Sequence, residues 1–195
     1  MKLPVSNSVF VLVIIVGFLS VCILLCALLG WYPVLVVNGR VFLDSQYQEG
    51  FSVAYHYYQP INNASQEKLT DAQLRRTLRI AVLEGFVDRV LVDQKLIKEM
   101  GRKNFFNKLN EGVNEMFLDE QTREGLSFLL SSVSRSAVEK YFLSDVIRFQ
   151  LLEGRLRLDN EGDVTSWITK KRADASVLVF SSGVAWDGQG MTYKK

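Results

Sequence analysis

The sequence predicts a mainly α protein in which one N-terminal transmembrane helix leads into a helical domain. That domain is closed by a small antiparallel β pairing of its N- and C-terminal strands. Three observations carry this expectation. From Val9 to Leu29 the chain is almost purely apolar, and no Asp, Glu, Lys or Arg lies between Lys2 and Arg40. Beyond it, apolar residues recur at helical spacing in stretches opened by Ser/Thr-x-x-Gln/Glu capping boxes. Unbroken β-type runs occur only near the two ends of that remainder, VLVV and VFL early and SVLVF late.

The apolar run of 21 residues covers about 30 Å of hydrocarbon at 1.5 Å per residue, and every face of the helix is apolar. It exceeds the roughly 7 to 15 residues of a signal-peptide core. The expected layout is a short cytoplasmic N-terminus over 1–8, an anchor over 9–29 in contact with the lipid bilayer, a helical domain over 34–180 and a flexible tail over 181–195. Trp31 and Tyr32 fit an interfacial aromatic belt, and Lys2 against a distant Arg40 places the main domain extracytoplasmic, in a single-pass protein. Both cysteines, Cys22 and Cys26, fall inside the run, so the rest of the chain needs no disulfide.

The elements follow in order. Asn38-Gly39 between two β-type runs is the pair favoured in tight hairpin turns. Asp44 or Ser45 then caps a helix, with Gln48 in the box position; its face carries Tyr47, Phe51, Ala54, Tyr55 and Tyr58, and it stops near Pro60. Thr70 with Gln73 opens a long helix to about Met100, ended by Gly101; Gly85 inside it marks close packing. Helices over 103–117 and 120–130 follow. Ser136 with Glu139 opens another through Leu158, and Trp167 and Ile168 sit on a short one. SVLVF pairs antiparallel with LVV or VFL, and the glycine-rich tail from Ser181 reads as mobile.

Composition excludes more chemistry than it suggests. Three prolines, thirteen glycines and 48% hydrophobic content over 195 residues exclude collagen-like and disordered chains. A net charge of +2 offers no strong pull toward nucleic acid. With His56 the only histidine, a histidine-based triad or a Cys/His metal site has almost no material, and no phosphate-cradling glycine motif occurs. No catalytic residue, metal or cofactor is expected. The arginines at 75, 76 and 79 and the basic run 170–172 read as solvated helix faces, with anionic headgroups as the alternative. The aromatic and methionine positions Tyr47, Phe51, Tyr55, Tyr58, Phe105, Phe106, Met116 and Phe117 read either as core or as a peptide-binding face; helical spacing alone does not separate the two.

The order of these segments resembles a known family. VVNGRVFLDSQY, VDRVLVDQKLIKEMG, VSRSAVEKYFLSDVIRFQLLEGRL and the closing WITKKRADASVLVF together resemble the N-terminal chaperone domain (SurA N-like) of the SurA/PpiD/PrsA foldases. The resemblance implies a helical cradle that binds unfolded or nascent polypeptide, often with an inserted parvulin peptidyl-prolyl isomerase domain. Here the interval from Gly101 to Arg135 is shorter than the roughly 50 residues of an independent domain, so isomerase activity is not carried over. The expected function is a membrane-anchored, extracytoplasmic, non-catalytic chaperone-like protein. The alternatives are a structural or assembly subunit with one fixed protein partner, and a residual isomerase-family member.

Overall fold

The computed structural model describes residues 14–18, 20–21 and 29–194. Strands β1 (Pro33–Val37) and β2 (Arg40–Leu43) form an antiparallel hairpin. Its turn residues Asn38 and Gly39 both take positive φ, 47° and 81°. That is the left-handed geometry which matches hairpin twist and which Asn-Gly adopts at low cost. β3 (Val177–Val179) returns to pair antiparallel with β1, Leu35 opposite Val179 and Val37 opposite Val177, giving the order β2-β1-β3. Asn38 fastens the junction: its backbone N–H donates to the Ser176 carbonyl at 2.9 Å, and its side-chain oxygen accepts from the Ser176 N–H at 2.9 Å. Leu35, Val37 and Phe42 point inward and are buried.

Between these strands lie α1 (Asp44–Ala64), α2 (Asp71–Met100), α3 (Arg102–Leu118), α4 (Glu120–Gly125), α5 (Ser127–Leu130), α6 (Arg135–Val138), a π turn (Glu139–Leu143), α7 (Ser144–Asp159) and α8 (Val164–Ala173). α2 is the central element. It buries Leu83, Phe86, Val87, Val90 and Leu96, and it packs against α1, α3, α7, α8 and the strands. Thr70 caps it as the sequence suggests: its hydroxyl accepts from the Gln73 N–H at 3.3 Å while Gln73 accepts from the Thr70 N–H at 2.9 Å. Gly101 ends α2 at φ 77°, a conformation a side chain disfavours.

Two helix starts differ from the sequence reading. Gln46, not Gln48, reaches back to the Leu43 N–H at 3.1 Å, so Leu43 holds the cap position and α1 begins at Asp44. Ser134, not Ser136, caps α6, accepting from the Ala137 N–H at 3.2 Å. α1 also continues through Pro60 to Ala64. Pro60 takes one N–H donor out of the helix and crowds the carbonyl one turn back, yet a further turn forms, and the following loop is held by Asn62, whose side chain both donates to and accepts from the Leu69 backbone at 2.9 Å.

The membrane assignment is corrected. Among the described residues no helix is long and apolar enough to cross a membrane. Helices of spanning length, about 20 residues, do occur: α1 and α2 have 21 and 30 residues. Both are interrupted by charged side chains, Asp71, Arg75, Arg76 and Arg79 within the first turns of α2 alone. Within the expected anchor 9–29 the structure describes helix at 14–18 and 20–21 and a turn at 29; the rest of that run, and residues 1–8, lie outside the described residues. The single-pass topology, with its cytoplasmic N-terminus, extracytoplasmic domain and bilayer contact, is accordingly not carried forward.

The tail also differs from the mobile segment expected. β4 (Val184–Trp186) and β5 (Met191–Tyr193) form a second antiparallel hairpin. Val184 and Met191 are buried, and the Met191 N–H donates to the Glu84 carboxylate on α2 at 2.8 Å. Two short strands with an apolar face suffice once a helix lies beneath them.

Candidate functional site

A cleft of about 240 Å³ opens between α1, α2 and the π turn. Small residues make the room. Gly50 and Ala54 from α1 face Ala81 and Gly85 from α2. A methyl group built on Gly50 would lie 3.3 Å from the Tyr141 ring, whereas one built on Gly85 would meet no heavy atom within 4 Å. Gly85 is therefore an open wall of the cleft rather than the close helix contact expected.

The π turn supplies the third wall. Its extra residue breaks the register between α6 and α7, and single-turn π segments of this kind concentrate at functional sites. The Ser144 hydroxyl donates to the Glu139 carbonyl at 2.6 Å, closing the widened turn. The result is that Tyr141 and Phe142, adjacent in sequence, both line the cleft. Phe142 stands 4.9 Å from the Tyr57 ring, which also meets Tyr58 at 5.1 Å and Phe128 at 6.3 Å. Tyr58 is 47% exposed and Phe128 40%, so this aromatic group presents apolar surface to solvent.

The floor is polar and rigid. Arg89, buried on α2, makes a two-pronged contact with Asp145, Nε to Oδ1 at 2.9 Å and Nη2 to Oδ2 at 2.7 Å. Asp145 Oδ1 also accepts from Arg148 at 3.1 Å; Arg148 donates to Asp93 at 2.7 Å; Asp93 accepts from Arg40 at 2.8 Å. This chain of five groups ties β2, α2 and α7 together beneath the cleft. Arg40 is half exposed and carries the excess positive charge to solvent. The Arg89 guanidinium also lies over the Phe86 and Tyr141 rings at 5.4 and 5.2 Å. Burial pushes the Tyr141 phenol above its ordinary range against the opposing charge of Lys140. The Tyr141 hydroxyl is buried and has no hydrogen-bond partner among the described residues.

The residues named from sequence are divided by the fold. Tyr47, Phe105 and Phe117 are buried in the core. Phe51, Tyr55 and Met116 are partly buried, and Tyr55 is engaged with Asp71 at 2.6 Å. Tyr58 and Phe106 are exposed, and of the eight only Tyr58 lines the cleft. Tyr57, Tyr141, Phe142, Arg89 and Asp145 were not singled out. One signal was present: an arginine at position 89 within an otherwise apolar helix row needs a buried partner.

Comparison with protein-family models, with the curated proteins and with the solved structures gives no match. Function is thus a matter of chemistry and shape. Among the described residues no group of three His, Cys, Asp or Glu side chains is placed to hold a metal ion. Among the described residues His56 hydrogen-bonds only within its own helix, at Ser52. The carboxylates at the cleft floor are already matched by guanidiniums. What the cleft offers is apolar surface between packed walls, with its charges already paired.

Proposed function

We propose that this chain is a non-catalytic, chaperone-like protein that takes an apolar side chain of an unfolded or nascent polypeptide into the cleft between α1, α2 and the π turn. The observation that carries the reading is the cleft itself, apolar-walled and rimmed by solvent-facing Tyr58, with exposed Phe128 against Tyr57 beside it. At about 240 Å³ it is below the roughly 300 to 1,000 Å³ of small-molecule sites, a size suited to one large side chain rather than a whole ligand. Burying such a side chain contributes about 1.5–3 kcal/mol, offset by about 0.5–1.5 kcal/mol for immobilising it. Binding of this kind is weak per site and tolerant of sequence, as handling unfolded chains requires. The resemblance to SurA-type foldases points the same way. In place of an inserted domain, the interval between α2 and α6 holds α3, α4 and α5, whose Phe105, Leu109, Phe117 and Leu129 belong to the core.

The test pairs an aggregation assay with crosslinking. The full-length protein should slow light-scattering growth of a chemically unfolded test protein. A photo-crosslinker in place of Tyr58 should capture many different chains in cells. No effect on aggregation together with capture of one stoichiometric protein would replace this reading by that of an assembly subunit.

A further inference from the structure

A second concave surface lies between α1, the first turns of α2 and β5. It has a volume of about 630 Å³ and is walled by Tyr47, Phe51 and Tyr193, with Arg75, Arg76 and Arg79 along one side. The three arginines are not equivalent. Arg75 is spent locally: it donates to Asp71 at 2.7 Å, and the Tyr55 hydroxyl shares that carboxylate. Arg76 and Arg79 have no carboxylate within 4 Å among the described residues. The Arg76 guanidinium lies over the Tyr193 ring at 4.0 Å, and the Tyr193 hydroxyl donates to the Arg76 carbonyl at 2.7 Å. Arg79 donates through Nη2 to the Ser181 hydroxyl at 3.2 Å, while its Nε is buried with no acceptor. The Arg79 charge also bears on the Tyr47 phenol across the groove, so its guanidinium is held at the groove wall and is not free in solvent.

We infer that this groove binds a phosphate monoester carried on a small aromatic or apolar body, its phosphoryl oxygens held by Arg76 and Arg79. Two guanidiniums without counter-charges match the charge of about −1.5 to −2 on a phosphate monoester, where a carboxylate would leave one unmatched. The planar fork of arginine suits bidentate contact with phosphoryl oxygens. The rings of Tyr47, Phe51 and Tyr193 supply the apolar wall beside it. The C-terminal segment completes the site, since Tyr193 on β5 and Ser181, just before β4, each hold one of the two arginines. The inference does not depend on the cleft.

The test is calorimetric titration of the full-length protein with phenyl phosphate, with inorganic phosphate and with benzoate. Phenyl phosphate should bind once per chain. Arg76→Gln and Arg79→Gln should each weaken it by about tenfold or more, the loss of one charge-assisted contact. Benzoate, with half the charge, and inorganic phosphate, without the ring, should each bind more weakly than phenyl phosphate. Arg79→Lys, which keeps the charge but not the fork, should fall between wild type and Arg79→Gln. Should Arg79→Gln fail to fold by circular dichroism, Arg76→Gln, at the surface, decides alone. The inference is overturned if phenyl phosphate does not bind, if benzoate binds as tightly, or if both glutamine variants bind it as the wild type does. Gly85→Leu, in the other cleft, should leave phenyl phosphate affinity unchanged.

Discussion

Asp93 is the joint on which the buried ion network turns, and its replacement by asparagine gives the sharpest test of the fold. Its side chain is 5% exposed and accepts from Arg148 at 2.7 Å and Arg40 at 2.8 Å. Asp93→Asn keeps the shape of the side chain but removes the charge. Arg148, 9% exposed, is then left with only Asp145, which already serves Arg89. Removing one partner of a buried pair costs about 3–5 kcal/mol, because the other charge stays desolvated. Against a total stability of about 5–15 kcal/mol that is a large fraction. At this chain length it corresponds to about 2–4 °C per kcal/mol, so the midpoint should fall by roughly 6–20 °C. Urea unfolding followed by circular dichroism measures the loss in stability, and a thermal scan the midpoint. The double variant Asp93→Leu, Arg148→Met leaves Asp145 paired with Arg89 and strands only the half-exposed Arg40, whose charge water can solvate, so it should recover much of the loss. A cost below about 1 kcal/mol for Asp93→Asn, with the double variant no better, would mean that water screens these groups, and the network would not be what joins β2, α2 and α7.

Gly85→Ala should stabilise the protein by about 1 kcal/mol, the helix-propensity difference, because its methyl group meets open space; Gly85→Leu should remain folded but abolish suppression of aggregation, and equal chaperone activity in the leucine variant would exclude the cleft as the binding site. Acid titration should register Asp163, one of several aspartates held low, which caps α8 by accepting from the Ser166 N–H at 2.9 Å and the Ser166 hydroxyl at 2.7 Å; these bonds hold its carboxyl below the ordinary range. The unfolded chain then binds more protons than the folded one, so this stabilisation is present above about pH 4 and is lost as pH falls through the depressed folded value. Asp163→Asn retains a capping side chain and should show a shallower fall in urea midpoint between about pH 6 and about pH 3; an unchanged slope would refute the assignment. Deleting residues 182–195 removes buried Val184 and Met191 from the surface of α2 and should cost about 3 kcal/mol or more at roughly 1.5–3 kcal/mol per side chain. Unchanged thermal stability after that deletion would show that the hairpin does not dock.

Local signals were legible in the sequence and assembled ones were not. Asn38-Gly39 carries its own positive-φ preference, and Thr70 reaches its partner Gln73 three residues away, so both could be read without knowing the fold. The start of α6 differs because Ser136 with Glu139 has the better local signature, while packing of Ala137 and Val138 into the core sets the cap at Ser134. The tail hairpin hid behind its glycines: the inward alternation of Val184, Trp186, Met191 and Tyr193 has meaning only with α2 beneath it. The cleft was hidden for a different reason. A π turn leaves no mark in composition, since it is a slip from i+4 to i+5 in a helix whose residues suit either spacing. Gly85 was visible, but a helical glycine can mark a close contact or an open wall, and only the position of α1 and the π turn settles which. Arg89 came nearest to betraying the site. A charge in an apolar row states that a partner must exist, but Asp145 lies 56 residues away in the chain, brought there by the same π turn that aims Tyr141 and Phe142. The sequence-distant pair and the register slip are thus one feature: the turn that makes the cleft also delivers the carboxylate that permits an arginine to form its floor.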